Sequence, residues 1–162
     1  MGPHQVNRDS GPLSKSFTGG FAVAAPVGSV FPLFSPEGER RWVPGWDPEL
    51  LHPPGAAWEE EMIFRTREEK GDAVWVVTRL APGEHRVTYH RVEPGRWVAR
   101  VEVRCTRIDD RRTDVRTSYR FLGLSPDGNA EIEAMTQAAY DAKMQRWSGW
   151  IGACLGTPEA MR

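Results

Sequence analysis

The sequence predicts an α+β fold in which an antiparallel sheet is covered on one face by helices. Three observations lead there. Alternation with period two recurs in short segments from Phe17 to Leu122. Each segment is separated from the next by its own turn residues, as in a meander. Helical spacing is confined to a short stretch near residue 30 and a proline-free run from 130 to 155. Strands grouped together, with helices at the ends of the chain, give this class rather than a parallel α/β sheet.

Taken in order, Phe17, Gly19, Phe21 and Val23 alternate with Ser16, Thr18, Gly20 and Ala22, which predicts a first strand with one buried face. Pro26 ends it and suits the first turn of a helix. Val27, Val30, Phe31 and Phe34 then recur at helical spacing until Ser35-Pro36. Residues 47–52 and 60–67 read as two short strands joined through Pro53-Pro54-Gly55. Residues 73–80, 85–93, 96–107 and 113–122 continue the meander. In the third of these, Trp97, Ala99, Val101, Val103 and Cys105 share one face, and Arg100, Glu102 and Arg104 the other. On that wet face the arginines are expected to meet Glu102 across strands. Ser125 to Asn129 reads as a break, followed by one long helix over 130–155. Ile132, Met135 and Ala139 form one apolar stripe of it, and Tyr140, Met144, Trp147, Ile151 and Cys154 a second; Lys143 falls on the polar side. Gly156 is the expected stop.

With 162 residues, the chain is expected to form one ligand-binding domain over 13–157, after a lead-in over 1–12 and before a tail over 158–162. A domain of this size buries about two-thirds of the surface its unfolded chain exposes, enough for a core that encloses a cavity. Lysine and arginine number 21 against 22 acidic residues, which gives no reason to expect a nucleic-acid partner. No apolar run reaches the roughly 20 residues of a membrane span. Cys105 and Cys154 lie far apart, without CxxC spacing or a secretory signal before them, so a cytoplasmic setting is expected. Nothing in the sequence chooses between monomer and homodimer. The seven tryptophans are read as filling the core or lining a pocket.

The densest motif is FSPEGERRWVPGW, residues 34–46, which joins the short helix to the meander. With VFPLFSPEGERRWVPGWDPELL, EEEMIFRTR and VWVVTRL, it resembles the START-like superfamily, also called SRPBCC. Pro36, Glu39, Trp42, Gly45 and Trp46 carry the pattern Pro-x-x-Glu-x-x-Trp-x-x-Gly-Trp of small bacterial members. The resemblance runs from Phe17 to about Leu155. It implies a helix-grip fold: a curved seven-stranded antiparallel sheet wrapped around a long C-terminal helix, with two short helices after strand 1 and an elongated apolar cavity between sheet and helix. Residues 34–46 would then stand at the cavity wall.

The four histidines form no H-x-x-x-H pair or Cys/His cluster, and no GxSxG, P-loop or GxGxxG is present; neither a metal nor another cofactor is expected. Glu39 is the leading acid–base candidate, because a carboxyl desolvated beside Trp42 and Trp46 would be held protonated. The alternative is that Glu39 braces the corner, through backbone amides or through Arg40, Arg65 or Arg79. Tyr89 and Arg79 are the other catalytic candidates, as groups that polarise a carbonyl. Tyr89 and His90 are neighbours on one strand and face opposite ways; Val87-x-Tyr89-x-Arg91 favours Tyr89 inward. Trp42, Trp46, Trp75, Trp97, Val101, Tyr119, Met144 and Trp147 are the expected ligand contacts. The function that follows is binding or transport of a hydrophobic or aromatic small molecule, with a polyketide cyclase, aromatase or dehydratase activity as the alternative.

Overall fold

The structure, a computed structural model, describes residues 11–55 and 57–156. Most of the expected lead-in and the whole expected tail fall outside that range. Strands β1 (Ser14–Val23), β2 (Glu49–His52), β3 (Ile63–Glu68), β4 (Gly71–Ala81), β5 (Arg86–Glu93), β6 (Trp97–Asp109) and β7 (Arg112–Gly123) form one sheet. Its order is β1-β7-β6-β5-β4-β3-β2, with every neighbouring pair antiparallel. Apart from the closure of β1 onto β7, each strand pairs with the next in sequence, as turn chemistry at every junction dictates.

Two short helices, α1 (Val27–Val30) and α2 (Pro36–Glu39), flank a 3-10 turn at Phe31–Phe34. Pro36 ends that turn and at the same time opens α2, where the missing N–H of a first-turn proline costs nothing. At the other end of the chain lie α3 (Pro126–Ala134) and the 19-residue α4 (Gln137–Leu155). The sheet grips α4. Tyr140, Met144, Ser148, Ile151 and Gly152 form its buried face, spaced at one and two helical turns. Full burial of a side chain such as Met144 or Ile151 stabilises the fold by about 1.5–3 kcal/mol. The approach is closest at Gly19 of β1, where a Cβ would lie 3.0 Å from the Tyr140 ring and 3.1 Å from Met144 Cγ.

The outer face of the sheet follows the alternation. Glu102 takes Arg86 from the adjacent strand at 3.1 Å and Arg100 from its own strand at 3.3 Å. The expectation of a single helix over 130–155 is corrected. Pro126 begins a helix instead of extending a break, because Ser125 caps it by accepting the Gly128 amide at 3.0 Å. The helix then stops at Met135, which is extended (φ −72, ψ 138), and Thr136 caps a new one by accepting the Ala139 amide at 3.1 Å. The joint splits the first expected stripe: Ile132 is buried and Ala139 exposed. Gly156 terminates α4 in the left-handed conformation, as expected.

Candidate functional site

Between the concave face of the sheet and α4 is a cavity of about 960 Å³. Strands supply most of its wall by alternation. Phe64 and Thr66 come from β3, Trp75 from β4, Tyr89 and Arg91 from β5, Trp97, Val101 and Val103 from β6, and Tyr119 and Phe121 from β7. Lys143 and Trp147 of α4 close the opposite side, with Met135 projecting from the α3–α4 joint. The segment 43–49 completes the rim; Asp47, Glu49 and Arg67 on the lining are exposed, so the cavity reaches solvent between this segment and β3.

The rings are locked by one another and by their polar tips. Phe64 stacks on Trp75 at 5.6 Å between centroids, and Trp46 meets Trp75 edge-on at 5.6 Å. Trp75 Nε1 donates to Thr66 Oγ1 at 2.9 Å, and Trp97 Nε1 to the Glu131 carboxylate at 2.8 Å. Trp46 Nε1 donates to the Pro36 carbonyl at 2.9 Å. Tyr89 donates its hydroxyl proton to the Phe34 carbonyl at 2.6 Å, tying the sheet to the turn that leads into α2.

Three charged or chargeable groups face this aromatic interior. Glu39, the last residue of α2, is half-buried on the cavity wall, and desolvation holds its carboxyl well above the usual carboxylate range against the opposing pull of Arg91. Arg91 spans the far wall: it lies 4.9 Å over Trp75 and 5.1 Å over Trp97, and it is paired with Glu93 at 2.6 Å and Glu68 at 3.3 Å. Lys143 Nζ sits 3.7 Å over the Tyr119 ring, 4.8 Å from Tyr140 and 5.5 Å from Trp147. Burial, and then Arg91 and Arg146, bring its ammonium down to about 8. Among the described residues no group of three His, Cys, Asp or Glu side chains is placed to hold a metal ion. Buried Cys105 is pushed up to about 12 by desolvation, so it stays a thiol.

No protein-family model and no curated protein sequence matches the chain. Solved structures do. Norcoclaurine synthase from Thalictrum flavum is 13% identical with a TM-score of 0.62, over 93% of each chain. The Zhui aromatase/cyclase from Streptomyces sp. R1128 is 18% identical with a TM-score of 0.62, over 88% of this chain and 94% of that one. The protein jhp0584 from Helicobacter pylori is 8% identical with a TM-score of 0.64, over 93% and 90%. The chain has the helix-grip fold that these structures share, a seven-stranded antiparallel sheet around a long C-terminal helix. At these identities the likeness is one of backbone, and the chemistry of this helix-grip cavity has to be read from its own side chains. Among the described residues no helix is long and apolar enough to cross a membrane.

Of the residues singled out in the sequence, Glu39, Tyr89, Trp46, Trp75, Trp97, Val101, Tyr119 and Trp147 line the helix-grip cavity. Trp42 and Met144 stand behind the wall. Trp42 Nε1 donates to the Leu33 carbonyl at 2.7 Å and its ring meets Trp147 edge-on at 5.4 Å, while Met144 Sδ accepts from Thr117 Oγ1 at 3.2 Å. Arg79 is at the surface, 3.8 Å from Glu84, and is not part of the lining. A bulge between Val77 and Arg79 breaks the alternation that would have turned it inward. Arg40 pairs with Glu37 and Asp47, and Arg65 with Glu49, so neither they nor Arg79 holds Glu39. Arg91 was not singled out as a site residue, and the expectation that Lys143 falls on the polar side of the helix is corrected, since it lines the cavity. The signals were there: Arg91 has the parity of Tyr89 on β5, and Lys143 is three residues after Tyr140 and four before Trp147.

Proposed function

We propose that the chain takes up an aromatic small molecule in the cavity between the sheet and α4. The observation that carries this reading is the wall itself, in which Trp46, Phe64, Trp75, Trp97, Tyr119 and Trp147 surround about 960 Å³. That volume is at the upper end of the roughly 300–1,000 Å³ typical of small-molecule sites. The rings are immobilised by edge contacts and indole hydrogen bonds, so little side-chain entropy remains to be lost when a flat ligand enters. A fold neighbour supports the reading by analogy: norcoclaurine synthase has been seen in complex with dopamine and hydroxybenzaldehyde.

A second reading, acid–base catalysis of the cyclase or dehydratase kind, is favoured by one specific observation. Among the described residues the Glu39 carboxyl has no hydrogen-bond or ion-pair partner, and it faces the cavity in a state that holds its proton. An acid of this kind can give a proton to a carbonyl oxygen and take one from the adjacent carbon. Tryptophan fluorescence titrated with lipids, flavonoids and polyketide-like aromatics tests the binding reading: a saturable change for aromatics supports it, and silence across the panel refutes it. Conversion of a bound ligand by the wild type but not by Glu39→Gln would support the enzyme reading. Conversion that survives the substitution would remove Glu39 from any mechanism.

A further inference from the structure

The charges on the cavity wall are not all paired. Arg65 pairs with Glu49 at 2.8 Å, Asp47 with Arg40 at 2.6 Å, and Arg91 both with Glu93 at 2.6 Å and with Glu68, itself on the wall, at 3.3 Å. Among the described residues, apart from exposed Arg67, this leaves Glu39 and Lys143 on the wall without an ion pair. No ion pair joins Glu39 to Lys143, and desolvation raises the Glu39 carboxyl, which disfavours its charged form. Lys143 is therefore a cation on the cavity wall that, among the described residues, meets the ring faces of Tyr119, Tyr140 and Trp147 and no carboxylate. Ring faces attract a cation through their quadrupole but carry no negative charge to neutralise it. The Nε of Arg91, on the same cavity wall, is buried without a hydrogen-bond partner.

From this we infer that the ligand is an aromatic anion, whose carboxylate or phenolate oxygen pairs with Lys143 Nζ while its ring packs among Tyr119, Trp147 and the rings opposite. The inference rests on the reading of the cavity as an aromatic-ligand site and adds the charge of what fills it. An anionic oxygen at that point supplies the missing counter-charge, and the Glu39 carboxyl, when it holds its proton, can donate a hydrogen bond to a second oxygen. An ammonium ligand would meet Lys143 as a like charge.

The test uses the full chain and two probes of equal shape, 2-naphthoate and its neutral isostere 2-naphthamide, titrated calorimetrically at pH 7. The naphthoate is expected to bind at least about tenfold more tightly, the lower bound for a charge-assisted contact of this kind. Lys143→Met should abolish the preference, and Lys143→Arg should keep it. Equal affinity of the two probes for the wild type would overturn the inference and leave the cavity reading standing, as would a preference that survives Lys143→Met. Failure of both probes to bind would overturn the cavity reading and this inference with it. The wild-type comparison decides the matter even if a variant does not fold.

Discussion

Glu39 and Gly38, adjacent in α2, show what single residues of the motif 34–46 do. A Cβ on Gly38 would come 2.0 Å from the Pro32 carbonyl oxygen and 2.8 Å from Leu33 Cα, so the turn can close only around a glycine. Gly38→Ala is therefore expected to destabilise the protein by more than about 2 kcal/mol in urea denaturation, since backbone and not a flexible side chain would have to move. The closed turn places Glu39 on the cavity, where burial raises its carboxyl above its ordinary value of 4.5. Tyr89 and Arg91 from β5 and Tyr119 from β7 are the titratable or charged groups coupled to it. A raised carboxyl favours the fold fully below pH 4.5, and that contribution is lost as pH rises toward the folded-state value. Glu39→Gln, which cannot ionise, should thus melt higher than the wild type at pH 8 and at the same temperature at pH 4. A lower melting point at pH 8 would mean that the carboxylate is paired and stabilising. The sequence singled out Glu39 because a carboxyl among tryptophans is physically conspicuous. Its orientation was not legible, because that depends on where Arg40, Arg65 and Arg79 find their partners, and Arg40 and Arg65 each find theirs on other short-range loops or strands.

At the level of elements, the strands were legible and the C-terminal helices only in part. Alternation on β6 and β7 is clean because their outer face is wet, with Arg100, Arg104, Arg116 and Arg120 exposed while the inner residues are buried. The bulge in β4 has no such signature, and it displaced Arg79 from its expected face. The α3–α4 joint was hidden because Met135 fits an apolar stripe, and only the hydroxyl of Thr136 marks the break. Thr136→Ala should cost about 1 kcal/mol in urea denaturation by removing that cap. A cost near zero would show that packing of α4 alone sets its start. The other end of the joint is held electrostatically: hydrogen bonds from Arg96, and then Trp97 and Lys70, hold the Glu131 carboxylate down at about 2 against the desolvation that opposes them. A depressed carboxylate stabilises above pH 4.5, and the contribution is lost as pH falls toward 2. Glu131→Gln should lower the melting temperature at pH 7, and by much less at pH 2.5.

For the whole molecule, the question is why a chain of this size carries so many large rings around an interior cavity. A domain that only needed stability would close the space, since each cavity lining forfeits contacts at close to 20 cal/mol per Å². The helix-grip architecture holds the space open by curving the sheet around α4, and the locked tryptophans keep its shape. Their distribution also provides an internal test. Trp46, Trp75, Trp97 and Trp147 line the cavity, whereas Trp58 and Trp150 do not. The seven indole N–H resonances, assigned one by one and followed by NMR while an aromatic ligand such as 2-naphthoate is added, report directly on where it goes. Binding in the cavity predicts saturable shifts for Trp46, Trp75, Trp97 and Trp147 with Trp58 and Trp150 left in place. Shifts confined to Trp58 and Trp150, or no shifts at millimolar ligand, would contradict it.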